Sequence, residues 1–227
     1  MTHPLDRPVW NSLHDRLAYL AIGGGKAVGF DRDCEVFVAA RDRSAETLGA
    51  VAALVPPGAE ASLVEQEEWP LPPGTSLLKH AVLTQMIAED GIGAPDTELP
   101  LLELGDADAP EMLALATLCR PGPYFAQTHK LGGFIGIRDE GGRLIAMAGE
   151  RFQIGRFTEI SAVSTHPDAR GRGLARNLMR VVGSRIAARG EIAFLHTYPD
   201  NAGAIALYEQ LGFRPRAQIN YTIFRRD

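Results

Sequence analysis

Val163-Ser-Thr-His-Pro-Asp-Ala-Arg-Gly-Arg-Gly-Leu-Ala175 is the stretch on which the reading of this chain turns. An extended run, Phe157 to Thr165, leads into it and is stopped by Pro167. Gly171 and Gly173 then form a turn. A periodic segment leaves it, from about Gly173 to Arg189, with Leu174, Leu178, Val181, Val182 and Ile186 on one stripe. In a strand–turn–helix unit of this kind the first helical N–H groups have no intrahelical acceptor, and the helix dipole adds partial positive charge there. Glycine lets a ligand come close to the main chain, so the turn suits an anion such as a pyrophosphate. Arg170, Arg172 and Arg176 add cationic donors. Six arginines and no acidic residue occupy 170–189 in a chain of net charge -5. The competing reading is a plain connection whose arginines face solvent.

Two nucleotide motifs are excluded. A P-loop needs Gly-x4-Gly-Lys-Ser/Thr, and Gly23-Gly24-Gly25-Lys26 lacks both the spacing and the hydroxyl. A dinucleotide fingerprint needs a third glycine, where this turn has Arg176; that argues against a nucleotide-dependent oxidoreductase.

Working outward, Leu99 to Leu104 suits a strand, and Asp106 or Asp108 can cap a helix through Leu118. Phe134 to Arg138 and Leu144 to Phe152 make strands joined at Glu140-Gly141-Gly142. Ile192 to Thr197 is a strand, Asn201 to Leu211 a helix, and Phe213 to Phe224 a final strand. Towards the N-terminus, Trp10 to Ala21 has helical spacing and ends at the triple glycine. Glu35 to Ala40 and Ser62 to Gln66 suit strands, and Ser44 caps a helix to about Leu54. Lys79 to Glu89 is amphipathic. Gly91 to Pro100 is the best linker, dividing an α/β region, 1–97, from a second domain, 98–227. The fold class is α/β, with a mixed, mostly antiparallel sheet flanked by helices.

The 227 residues, 45% apolar and 22% charged, are ordinary for a globular protein. The negative charge argues against nucleic acid or an anionic membrane as partner. There is no secretory signal and no apolar run of about 18 residues. Cys34 and Cys119 make no disulfide framework. A cytoplasmic monomer or homodimer without a metal is expected.

Two spaced signatures then resemble the GNAT superfamily of N-acyltransferases. Arg170-Gly-Arg-Gly173-Leu-Ala175 matches its pyrophosphate motif, Arg/Gln-x-x-Gly-x-Gly/Ala. Asn201, Ala204, Tyr208, Gly212 and Phe213 match a second, Asn-x-x-Ala-x3-Tyr-x3-Gly-Phe. The resemblance covers 98–227. The two-part layout is similar to bacterial members with a degenerate first half, as in the glycine N-acyltransferase-like branch. That half would shape the acceptor pocket or form an interface.

The resemblance implies acetyl-CoA as cosubstrate, and a small amine, amino acid or peptide N-terminus as acceptor. Backbone amides of Arg170, Gly171, Arg172, Gly173, Leu174, Ala175 and Arg176 would hold the pyrophosphate. Ala162, Val163 and Ser164 would pair with the pantetheine arm at a splayed gap in the sheet, and Asn201 would contact it. Tyr208 would protonate the departing sulfur, and Glu159, its pKa raised, would deprotonate the amine. His129, His166 and His196 are weaker bases, with His196 foremost; Cys119 is a poor nucleophile. A non-catalytic acyl-CoA sensor on the same fold is the alternative.

Overall fold

The computed structural model describes residues 3–95 and 100–227. The expected boundary between 97 and 98, and part of the Gly91–Pro100 linker, lie outside the described residues. The N-terminal region contains α1 (Pro8–Leu13), the three-stranded sheet β1 (Ala21–Gly24), β2 (Ala27–Phe30) and β3 (Val38–Ala40), and α2 (Ala45–Leu54). It continues into β4 (Glu60–Glu65) and β5 (Thr75–Ala88). Then come β6 (Leu101–Leu104), α3 (Ala109–Cys119), β7 (Phe134–Arg138), β8 (Leu144–Ile154), β9 (Phe157–Thr165), α4 (Leu174–Ala188), β10 (Ile192–Thr197), α5 (Ala202–Gln210) and β11 (Arg214–Arg226).

An eight-stranded sheet runs β4-β11-β5-β10-β9-β8-β7-β6. Only β9 and β10 are parallel; the other neighbours are antiparallel, as expected for the fold class. The sheet crosses the division made from sequence. Strand β5 lies between β10 and β11, in register with Ala193–Thr197 on one side and with most of Arg214–Arg226 on the other. Strand β4 borders β11 beyond it. The amphipathic stretch 79–89 is therefore part of a 14-residue strand whose backbone groups are satisfied by both neighbours near its C-terminal end.

The helix expected over Trp10–Ala21 is shorter. It stops at Leu13; His14 N–H donates to Trp10 O at 3.2 Å, and Leu17 N–H reaches back to Ser12 O at 3.0 Å. A turn thus buries Leu13 and Leu17 together, satisfying the apolar spacing without a long helix. Gly23 and Gly24 are strand residues, and Gly25 makes the β1–β2 turn at φ 56°. Ser44 caps α2, its hydroxyl accepting from Thr47 N–H at 3.4 Å.

Alternation along the central strands separates two cores. Ile87, Phe152, Ile192 and Phe194 join Leu5, Val9, Leu17, Phe30 and Phe37 from the N-terminal region. Met86, Ala88, Ala193 and Leu195, on the opposite face, join Leu174, Leu178, Val182 and Ile186 of α4. The first 97 residues therefore share a core with the large sheet. Among the described residues no helix is long and apolar enough to cross a membrane.

Candidate active site

The two parallel strands part company at the centre of the sheet. Their pairing stops at Phe194 opposite Glu159, while β10 continues along β5 to Thr197. On the other side of β9, Gly149 faces Ser161 and Met147 faces Ser164. Ala162 and Val163 together oppose the single residue Ala148, a β-bulge that bends the strand. Ala162 sits at φ 53°, a left-handed conformation that costs a non-glycine residue roughly 1 kcal/mol. The β9 edge beyond Glu159 is thus left unpaired towards β10.

A cavity of about 660 Å³ fills the gap. Ser161, Ala162 and Val163 line one wall, and Leu195, His196 and Thr197 the facing one. Ala175, Met179, Asn201, Ala204, Leu207 and Tyr208 close the α4–α5 end, and Arg120–Pro123 another side. Phe37, Val64 and Leu83, all from the N-terminal region, line it together with Arg151, Phe152 and Tyr221.

The glycine turn lies at the mouth of α4. Gly171 and Gly173 have φ near 75°, and a Cβ at either would meet no atom within 4 Å. Gly173 is the N-cap and offers no side-chain acceptor. The ladder begins with Asn177 N–H donating to Gly173 O at 3.1 Å. Among the described residues, no protein acceptor takes the N–H groups of Gly171 through Arg176. Open space above unpaired main-chain donors fits a diphosphate. The side chains there divide by role. Leu174 is buried in the core and offers only its amide. Arg170 and Arg172 are exposed, and Arg170 Nε donates to Thr165 O at 3.4 Å. Arg176 donates to Gln210 Oε1.

Asn201 caps α5, its Oδ1 accepting from Ala204 N–H at 3.3 Å, and also lines the cavity. Tyr208 is half-buried with its ring edge against Phe213, and burial raises its pKa above the ordinary phenol value. It stays protonated at neutral pH and has a proton to give. Ser164 is buried away from the cavity lining, its hydroxyl without a hydrogen-bond partner. His129 pairs with Asp106 at 2.7 Å, and His166 is held beside Asp168; neither lines the cavity.

Glu159 departs from the expectation of a raised pKa. Burial acts to raise it, but Arg151 and His196 outweigh that and hold it at about 2. Arg151 Nε and Nη2 donate to its two oxygens at 2.7 and 2.9 Å, and His196 Nδ1 is 2.7 Å from Oε1. A carboxylate so fully engaged is a poor proton acceptor.

The same network fixes His196. Gln85 accepts from Arg216 through Oε1 and donates through Nε2 to Leu5 O at 3.0 Å, so its amide orientation is set. Its Nε2 is also 2.9 Å from His196 Nε2, which must therefore accept, placing the ring proton on Nδ1 towards Glu159. Asp6 holds Arg216 at 2.8 Å. The resulting chain of side chains, Asp6–Arg216–Gln85–His196–Glu159–Arg151, was not foreseen from sequence. Its one visible signal was Arg151 in an otherwise buried strand.

Known proteins agree with this architecture. The FR47-like protein family model matches residues 134–222. A GNAT-family crystal structure from Novosphingobium aromaticivorans is 42% identical, with TM-score 0.92 and 100% of both chains covered. N-alpha-acetyltransferase RimI of Mycobacterium tuberculosis is 34% identical over 85 residues, 36% of this chain and 51% of that relative, about half its length. A GCN5-related N-acetyltransferase from Kribbella flavida shares the fold at TM-score 0.60 and 18% identity, over 95% of this chain and 91% of that one. With a solved relative matched over its whole length at 42% identity, this chain belongs to the GNAT family of acetyltransferases.

Proposed function

We propose that the protein transfers an acyl group, acetyl in the first instance, from coenzyme A to a primary amine held in the same cavity. The observation that carries this is the set of unpaired amides at Gly171–Arg176 opening onto the gap between β9 and β10. Bound there, acetyl-CoA would supply an activated thioester. The amides and the flanking arginines bind the diphosphate, and the free edge at Ala162–Val163 pairs with the pantetheine arm. Tyr208 gives its proton to the departing sulfur. The walls from Phe37, Val64 and Leu83 receive the acceptor, a small amine, an amino acid or a peptide N-terminus.

Gly173→Glu tests the reading, because it places bulk and negative charge where the diphosphate would lie. Calorimetry is expected to show coenzyme A binding in the wild type and none in the variant. Release of free thiol from acetyl-CoA with an amine panel tests transfer itself. Coenzyme A binding without thiol release for any amine would favour a sensor over an enzyme.

A further inference from the structure

With both oxygens of Glu159 occupied, the cavity needs another group to take the amine's proton. Glu35 is fully buried, and neither of its carboxyl oxygens has a hydrogen-bond partner among the described residues. Its Oε1 lies 3.8 Å from Arg151 Nη1, beyond hydrogen-bond reach. The segment Glu35–Phe37 is extended: Ser62 N–H donates to Val36 O at 3.0 Å, and Phe37 bridges to Ser62. Residues two apart on extended chain project to the same side, so Glu35 faces the way Phe37 does, towards the cavity that Phe37 lines. Tyr124, next to Pro123 of the cavity wall, has a phenol that is likewise buried and unpartnered.

We propose that Glu35 takes the proton of an arylalkyl primary ammonium seated among Phe37, Phe152 and Tyr221 at the Arg151 end of the cavity. The inference rests on the acyltransferase reading and names the acceptor of that site. The proton passes from nitrogen to a Glu35 oxygen. The freed lone pair forms the N–C bond as the C–S bond breaks, and the sulfur takes the Tyr208 proton. Exchange with solvent restores both groups, with one proton released per turnover.

Charge around Glu35 agrees with the role. Arg151 faces it from β8, Glu159 from β9, Tyr221 from β11 and Tyr124 from the 120–127 loop, with Cys34 beside it on its own segment. Burial pushes Glu35 up to about 8, Arg151 opposing and Glu159 adding. A carboxyl poised there accepts a proton far more readily than Glu159 does. An uncompensated buried carboxylate is costly, and an arriving ammonium would offset that cost. Val64 and Leu83 make the surrounding wall apolar.

Glu35→Gln copies the protonated carboxyl, so a packing role survives the change while proton transfer does not. Acetyl transfer to 2-phenylethylamine, with spermidine as comparator, is followed from about pH 6 to 10. The wild type should acetylate 2-phenylethylamine and not spermidine, with kcat/KM rising through the Glu35 ionisation. The variant should lose at least about 100-fold near pH 8, with coenzyme A affinity and Tm retained. A wild-type pH profile in Glu35→Gln, preference for spermidine, or no transfer to the arylalkyl amine by protein that binds coenzyme A would each overturn the proposal. Wild-type protein that fails to bind coenzyme A would instead overturn the acyltransferase reading. If the variant is unstable, carbon NMR of 13C-glutamate in the wild type answers the same question. The midpoint of the Glu35 carboxyl should fall on adding 2-phenylethylamine, and an unmoved midpoint overturns the proposal.

Discussion

Arg151 and Glu159 form a two-pronged pair across β8 and β9, with Nε to Oε2 at 2.7 Å and Nη2 to Oε1 at 2.9 Å. Arg151 is largely buried and Glu159 almost wholly so. Arg151 also stacks on the rings of Phe37 and Phe152. One guanidinium thus ties the floor of the cavity to the N-terminal region.

Removing one partner of a buried pair strands the other charge. Arg151→Met is expected to cost about 3–5 kcal/mol, read by urea denaturation. Adding Glu159→Gln should recover part of that loss. Equal stability of the single variant and wild type would mean that the pair contributes nothing.

Two carboxyls should pull the pH dependence of stability in opposite directions. Glu159 falls from 4.5 to about 2 on folding, so its contribution is present above 4.5 and is lost as pH drops towards 2. Glu35 rises from 4.5 to about 8, so the folded state holds its proton more tightly and stability declines as pH climbs from 4.5 to 8. Tm measured against pH should therefore fall on both sides. Glu35→Gln should flatten only the upper limb. An unchanged upper slope would mean that Glu35 does not titrate there.

Tyr208→Phe keeps the ring that packs on Phe213 and deletes only the proton. Turnover is expected to fall on the order of 10- to 1000-fold, with coenzyme A affinity unchanged by calorimetry. Full turnover would remove Tyr208 from the chemistry.

A fragment of residues 98–227 lacks the strand that lies between β10 and β11. It is expected to show no cooperative thermal transition by circular dichroism, whereas the whole chain does. A sharp transition in the fragment would show that the sheet closes without β5.

Most elements after residue 100 could be read from the chain, because proline, glycine and strict periodicity mark their ends. Phe134–Arg138, Phe157–Thr165 and Ile192–Thr197 fall where the sequence places them. The N-terminal region was harder for a physical reason. Leu13 and Leu17 satisfy a helical spacing equally well in a turn, and β5 shows its two-sided pairing only once β10 and β11 are beside it. At the site, glycines and arginines advertise an anion by their local spacing. The engagement of Glu159 depends on Arg151, His196 and Gln85, which converge from three strands and carry no local signature. Nor does Glu35, 124 positions before Glu159 in the chain, announce itself as a neighbour of the cavity.

The insertion of β5 also shapes how the chain must be made. A growing polypeptide carries Thr75–Ala88 for more than a hundred residues before β11 exists to cover its long flank. Until Arg214–Arg226 has been synthesised, that strand offers bare backbone groups and the exposed side chains Leu77, Leu78 and Val82. Closure therefore waits on pairing between distant parts of the chain, which makes assembly slow and leaves nascent molecules open to sticking to one another.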